Sequence, residues 1–185
     1  MNIGLLTSFV IGGILLVSIL AVNADLLQSG VQSSLNLDAK QNVATISTVV
    51  GQDLRKVGFR MPDTLSSVYA MDSTRFGFYG DVDDDGDIDS VEWVFLPNSD
   101  ESSSTNPNDR KCYRIMNGDT LSLGTGVTEL SFVFMDSTGT ETGSAATLRR
   151  IKTALTCESL GSTDNQFETS AWSQVFIPIN LQTGN

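Results

Sequence analysis

Residues 3–57 read IGLLTSFVIGGILLVSILAVNADLLQSGVQSSLNLDAKQNVATISTVVGQDLRKV. Residues 3–22 carry no charged side chain and are numerous enough to cross a bilayer as a helix. An apolar stripe continues through Leu27, Val31, Leu35, Ala39, Val43, Ile46, Val50, Leu54 and Val57. These positions fall three or four apart, which places them on one face of a helix. No Pro interrupts the stretch before Pro62. The pattern predicts one helix of roughly 80 Å at 1.5 Å rise per residue. It is apolar all round over residues 1–24 and amphipathic over residues 25–60. Gly12, Gly13 and Gly30 mark places where such a helix could bend.

Two plainer readings compete. Val22-Asn23-Ala24 before Asp25 resembles a signal cleavage site. That reading lacks its basic n-region, because no Lys or Arg precedes Lys40. A simple membrane anchor needs no helical continuation, and here the stripe runs on. Gly58 suits a helix C-cap, and Arg55, Lys56 and Arg60 place cations at the negative end of the helix dipole.

Residues 61–185 change to period two, and the expected fold class is α+β, a long helix against antiparallel strands. Strands are predicted at residues 75–79, 90–96, 111–116, 120–123, 127–135, 148–157 and 172–181. Asn117-Gly118 is a strong hairpin signal. Val91, Trp93 and Phe95 share a face, as do Leu130, Phe132 and Phe134, and Ile151, Thr153, Leu155 and Cys157. Segments 98–109 and 159–170 read as solvated loops, and Pro178 suggests an edge or a bulge in the last strand.

The chain has 22 acids against 11 bases, a net charge of -11, so a nucleic-acid surface is not expected. His is absent, which removes the common general base and most zinc sites. No Walker loop, nucleophile elbow or dinucleotide fingerprint occurs. The acid pair Asp136 and Glu141 fits a solvated turn, and an enzyme is not expected. Cys112 and Cys157 fit one disulfide in an oxidising compartment, worth roughly 4 kcal/mol in the chain-entropy model, or else two buried thiols.

Residues 81–92 read DVDDDGDIDSVE. Asp81, Asp83, Asp85, Asp87 (through its carbonyl), Asp89 and Glu92 occupy the ligand positions of a twelve-residue calcium loop, with Gly86 at the turn. Seven acids in twelve residues repel one another, and no base lies near them in sequence. A structural Ca2+ is therefore expected, in a turn between strands rather than between the helices of an EF-hand.

The order of these features resembles the type IV filament superfamily of type IV pilins, minor pilins and type II secretion pseudopilins. The resemblance rests on the apolar-to-amphipathic helix and on Gln52-Asp53-Leu54-Arg55-Lys56-Val57-Gly58-Phe59 at its end. It rests also on the hairpin of residues 76–95 and on the strands at 126–136 and 148–156. It implies a pilin-like lollipop, a helix half-packed on a β-sheet head. It further implies an inner-membrane precursor, removal of a leader, and stacking into an extracellular filament by a pilus assembly machinery. Without a short basic leader the chain reads as the processed form. Leu5 stands where family members often carry Glu, and the kinking Pro is absent. Register in a filament of self-copies would then rest on apolar core positions, namely Leu5, Leu6, Phe9, Val10, Ile14, Leu15, Ile19 and Leu20. Thr7 and Ser8 would add small polar contacts. A minor tip pilin or pseudopilin, and a membrane-anchored calcium-binding adhesin that never polymerises, are the alternatives.

Overall fold

The computed structural model describes residues 3–62 and 66–181, without the side chain of Leu5. One α-helix, α1, spans Ile3–Arg55 and runs unbroken through Gly12, Gly13 and Gly30. Its end lies two residues short of Val57, and a turn over residues 56–60 follows. Gly58 adopts φ 72°, the left-handed conformation that a C-cap requires and that favours Gly.

The strands form two antiparallel sheets. The first contains β1 (Val68–Asp72), β2 (Arg75–Gly80), β3 (Asp89–Asp100), β4 (Arg110–Met116) and β5 (Asp119–Ser122) in that order. The second contains β6 (Val127–Met135), β7 (Arg150–Thr163) and β8 (Gln166–Phe176). An aromatic cluster joins them: Phe76 on β2 lies 5.8 Å from Phe132 and 5.2 Å from Phe134 on β6, ring centre to ring centre. Such pairs add roughly 0.5–1.5 kcal/mol each beyond their area burial. The three inward faces expected from period two are all buried.

The second half of α1 closes this core. Ala39, Val43, Ile46, Val50, Leu54 and Val57 are buried against the sheets. Leu35 is half-buried, whereas Leu27 and Val31 are exposed, so the packed stripe begins later than the sequence pattern suggested. Between those points the helix is held by polar side chains. Gln28 donates to Asp164, and Gln32 and Asn36 donate to Glu168 on β8.

A buried ion pair fixes the helix on the first sheet. Asp53 accepts from Arg114 Nε at 2.7 Å and Nη2 at 2.9 Å, and from the Trp93 indole N–H at 2.9 Å. Asp53 is 2% exposed, so its charge is tolerable only with these three donors in place.

Four details differ from the sequence reading. β1 is an additional strand at the sheet edge, five residues long and without the alternation of apolar and polar side chains that would announce it. Residues 159–170 are not a loop but the closing end of the β7–β8 hairpin. Asp164 and Asn165 turn there with φ 52° and 60°, the two left-handed residues of a primed hairpin turn, made by a dipeptide less typical than Asn-Gly. Segment 98–109 is partly docked: Asn106 is buried and donates to Glu158 and to the Ser159 carbonyl, and Asp109 accepts from the Gly126 amide at 2.8 Å. The last strand ends at Phe176, and a 3₁₀ turn over Ile179–Leu181 follows Pro178.

Cys112 on β4 and Cys157 on β7 are both fully buried free thiols, the second of the two arrangements open from sequence. The expected disulfide is thus not formed in this structure. Burial pushes both thiols up to about 12, with the neighbouring Cys157 adding to the shift of Cys112 and Asp109 to that of Cys157. Neither is a reactive thiolate in this apolar setting.

Replacing Asp53 with Ala leaves the Arg114 charge and the Trp93 N–H without their partner. Chemical denaturation of the detergent-solubilised chain is expected to show a loss of about 3 kcal/mol or more. A loss under about 0.5 kcal/mol, the range of ordinary surface changes, would show that the pair does not hold the helix to the head.

Candidate functional site

Two features stand outside the folded core, the bare helix and the acidic loop. Along the helix, Leu6, Phe9, Val10, Ile14, Leu15, Ile19 and Leu20 are between 51% and 83% exposed. The side chain of Leu5, the remaining expected core position, lies outside the described residues. Ile3, Ile11, Leu16, Val17 and Val22 are equally bare, so no single stripe is favoured and the rod is apolar on every side. Thr7 and Ser8 turn their hydroxyl donors back onto the helix. Thr7 Oγ donates to the Ile3 and Gly4 carbonyls, and Ser8 Oγ donates to Gly4 O at 2.9 Å. Ser18 likewise donates to Ile14 O. Their donors are used within their own helix, and their exposed hydroxyl oxygens are left as acceptors. By length and composition this helix can cross a membrane.

The acidic loop lies at the opposite end of the molecule from the bare rod, directly beneath the helix C-terminus. Two backbone bonds place it there: Gly58 N donates to Tyr79 O at 2.8 Å, and Asp81 N donates to Phe59 O at 3.0 Å. β2 and β3 enter and leave the loop, with Gly80 opposite Asp89 as the last pair. Gly86 adopts φ 100°, a conformation that gives the turn its sharpness and that side chains rarely adopt.

Within the loop, Asp81, Asp83 and Asp89 converge, each offering a carboxylate oxygen within 4.8 Å of the others. Asp81 and Asp89 are buried and Asp83 is exposed, so the cluster is open on one side. Asp89 is oriented by the Val82 amide and by Asn117 Nδ2, at 2.9 and 2.6 Å. Asp81 Oδ2 accepts from Gly86 N and from Arg60, while its Oδ1 is buried with no hydrogen-bond partner among the described residues. A buried carboxylate oxygen without a partner is costly and suits a hard cation. The three grouped carboxylates are the right donor chemistry for a divalent ion.

The carboxylates of Asp85 and Glu92 are not brought in. Asp85 is exposed and accepts from the Asp87 amide at 2.8 Å. Glu92 lies on β3, where its neighbours Val91 and Trp93 turn to the core and it turns to the opposite face. There it pairs with Arg75 on β2 rather than closing the loop. In a helix, position twelve of such a loop swings back over the ion; in a strand it is carried away from it.

Sequence reading also missed the loop's counter-charges. Lys56 Nζ donates to Val82 O at 2.7 Å and to Asp84 at 2.5 Å, and Arg60 pairs with Asp81 at 2.5 Å. The expectation that nothing basic lies near the acids is corrected, because the helix end folds two cations onto them. Burial pushes the Asp81 carboxyl up. The bond to Arg60 and its charge, with the amides of Asp84 and Gly86, outweigh burial and hold it below the usual carboxylate range. The two cations were visible in sequence only as helix-dipole partners. Asp136 at the other acid pair accepts from the amides of Thr138 and Thr140, which fits the turn read from sequence.

Comparison with protein-family models, curated proteins and solved structures returned no match.

If a divalent cation sits among Asp81, Asp83 and Asp89, a chelator should lower the melting temperature of the detergent-solubilised chain. A stabilisation of about 2–3 kcal/mol is expected at a cation concentration a hundredfold above Kd. Calcium titration should release or absorb heat with one site per chain. An unchanged melting curve together with a flat titration would remove the cation from the account.

Proposed function

We propose that this chain is a structural subunit of an extracellular type IV pilus-like filament, a lollipop assembled through its N-terminal helix. The observation that carries this reading is the division of one helix. Residues 39–55 of α1 are locked into the head, while the same unbroken helix presents bare apolar side chains on all sides between residues 3 and 22. Each large apolar side chain moved from water to an apolar surrounding contributes roughly 1.5–3 kcal/mol. A rod of this kind must be covered by lipid or by other helices. Copies of this chain stacked in parallel would cover it on all sides, and a head-to-tail contact of that kind propagates into an open fibre.

The rigid join favours the fibre over a plain anchor. An anchor needs only a tether, and a flexible linker would serve. Here the Asp53–Arg114 pair and the packed Val50 and Leu54 fix the head on the rod. In a filament this fixes every head at the same angle to the core. The inner membrane would hold the subunit before a pilus assembly machinery draws it into the fibre. The acidic loop, with a structural Ca2+ as its expected cation, would stiffen the outer end of the head.

Phe9 is 83% exposed, so its replacement leaves the head untouched. Phe9→Asp introduces a charge into the proposed filament core at a cost of about 2.5–3.5 kcal/mol per helix. The yield of sheared surface fibres is expected to fall about tenfold or more, with the protein retained in the membrane fraction and the calcium titration unchanged. Wild-type fibre yield from this variant would contradict assembly through the helix.

A further inference from the structure

The acidic loop holds one ion pair whose two members are unequal. The Asp81 side chain is 0% exposed and cannot leave its place. The Arg60 side chain is 49% exposed and can swing into water at little cost. A resting place lies beside it, because the guanidinium already stands 5.1 Å from the centre of the Phe59 ring. Arg60 meets Asp81 at Oδ2, and the neighbouring Oδ1 is the buried oxygen with no partner, in the carboxylate cluster with Asp83 and Asp89. A divalent cation on Oδ1 would therefore sit one carboxylate away from a fixed positive charge. Two like charges at that separation repel strongly in a partly buried site.

From this we infer that Arg60 is a displaceable counter-ion built into the loop. It neutralises Asp81 when no divalent cation is bound, and it gives way to a divalent cation that takes Asp81, Asp83 and Asp89. The inference rests on the cation reading of the loop and adds to it a direct competition between ion and side chain. Lys56 belongs to the same device in a lesser role: it is held to Val82 O and Asp84, which are outside the carboxylate group that converges on Asp81. The competition links the cation to the helix end, since Arg60 belongs to the turn that terminates α1. Arg60 itself adopts φ 58°, an uncommon conformation for Arg, and the bonds Met61 N to Gly58 O and Asp81 N to Phe59 O hold the chain on either side of it. The backbone therefore stays in place while the side chain exchanges.

The test is calcium titration and thermal melting of the full chain in detergent, for wild type, Arg60→Gln and Arg60→Lys. Competition predicts that Arg60→Gln binds calcium roughly fivefold or more tightly, melts lower than wild type in chelator, and melts level with wild type in saturating calcium. Arg60→Lys keeps the charge and should bind as wild type does. Unchanged or weaker binding by Arg60→Gln would overturn the proposal while leaving the cation site intact. So would a melting loss that is equal in chelator and in calcium, which marks a fixed structural pair. A gain in Arg60→Lys as large as in Arg60→Gln would also overturn it, because charge would not be the cause. A flat titration in all three proteins removes the cation site itself, and the competition with it.

Discussion

One helix in this protein must satisfy two environments, and its continuity is the constraint on which everything else depends. From residue 39 onward its apolar face is matched to the inner faces of two sheets. Before residue 32 its described large apolar side chains are exposed, and Gln28 reaches Asp164. Nothing in between breaks it, not even Gly12, Gly13 or Gly30. The Asp53 carboxylate then turns packing into registration. Hydrophobic contact alone would allow the helix to slide or rotate by small amounts. A buried carboxylate bound by the Arg114 fork and the Trp93 indole allows one position, because any other leaves a charge unpaired out of water.

The same helix organises charge at its far end. Its last turn carries the negative pole of the dipole, and the loop beneath it carries seven acids in twelve residues. Left alone these would repel. Lys56 and Arg60 stand between them and bond to both Asp84 and Asp81. The loop is thus neutralised from within to a degree that the spacing of its acids does not reveal. What remains is a smaller, more defined cluster of three carboxylates, one of which, Asp81, keeps a buried oxygen without a partner among the described residues.

Much of the fold was legible in the sequence, for physical reasons that differ by element. The helix was, because no Pro interrupts it and its apolar positions keep a period of three to four over many turns. The inward faces of β3, β6 and β7 were, because buried strands alternate strictly. The hidden elements lacked such a signal. β1 is five residues long with a single buried side chain. The β7–β8 turn uses Asp164-Asn165, which carries left-handed backbone without a Gly to advertise it. At the acidic loop the spacing identified the turn, its acids and the strands that flank it, but it required Glu92 to reach back from its strand to the ion. The strand follows as read, and it carries Glu92 away from the loop to Arg75. Arg60 and Lys56 were placed correctly at the helix end, but their contact with the loop depends on tertiary packing, which no local pattern encodes.

The central claim is that the bare half of the helix ends among copies of itself. Electron cryo-microscopy of fibres sheared from cells that express this chain tests it directly. The account predicts fibres built of this protein, with parallel helices packed in the core, residues 3–31 buried between neighbours and the heads outside. Cells whose surface fibres contain none of this chain, with the protein confined to membranes as separate copies, would contradict it.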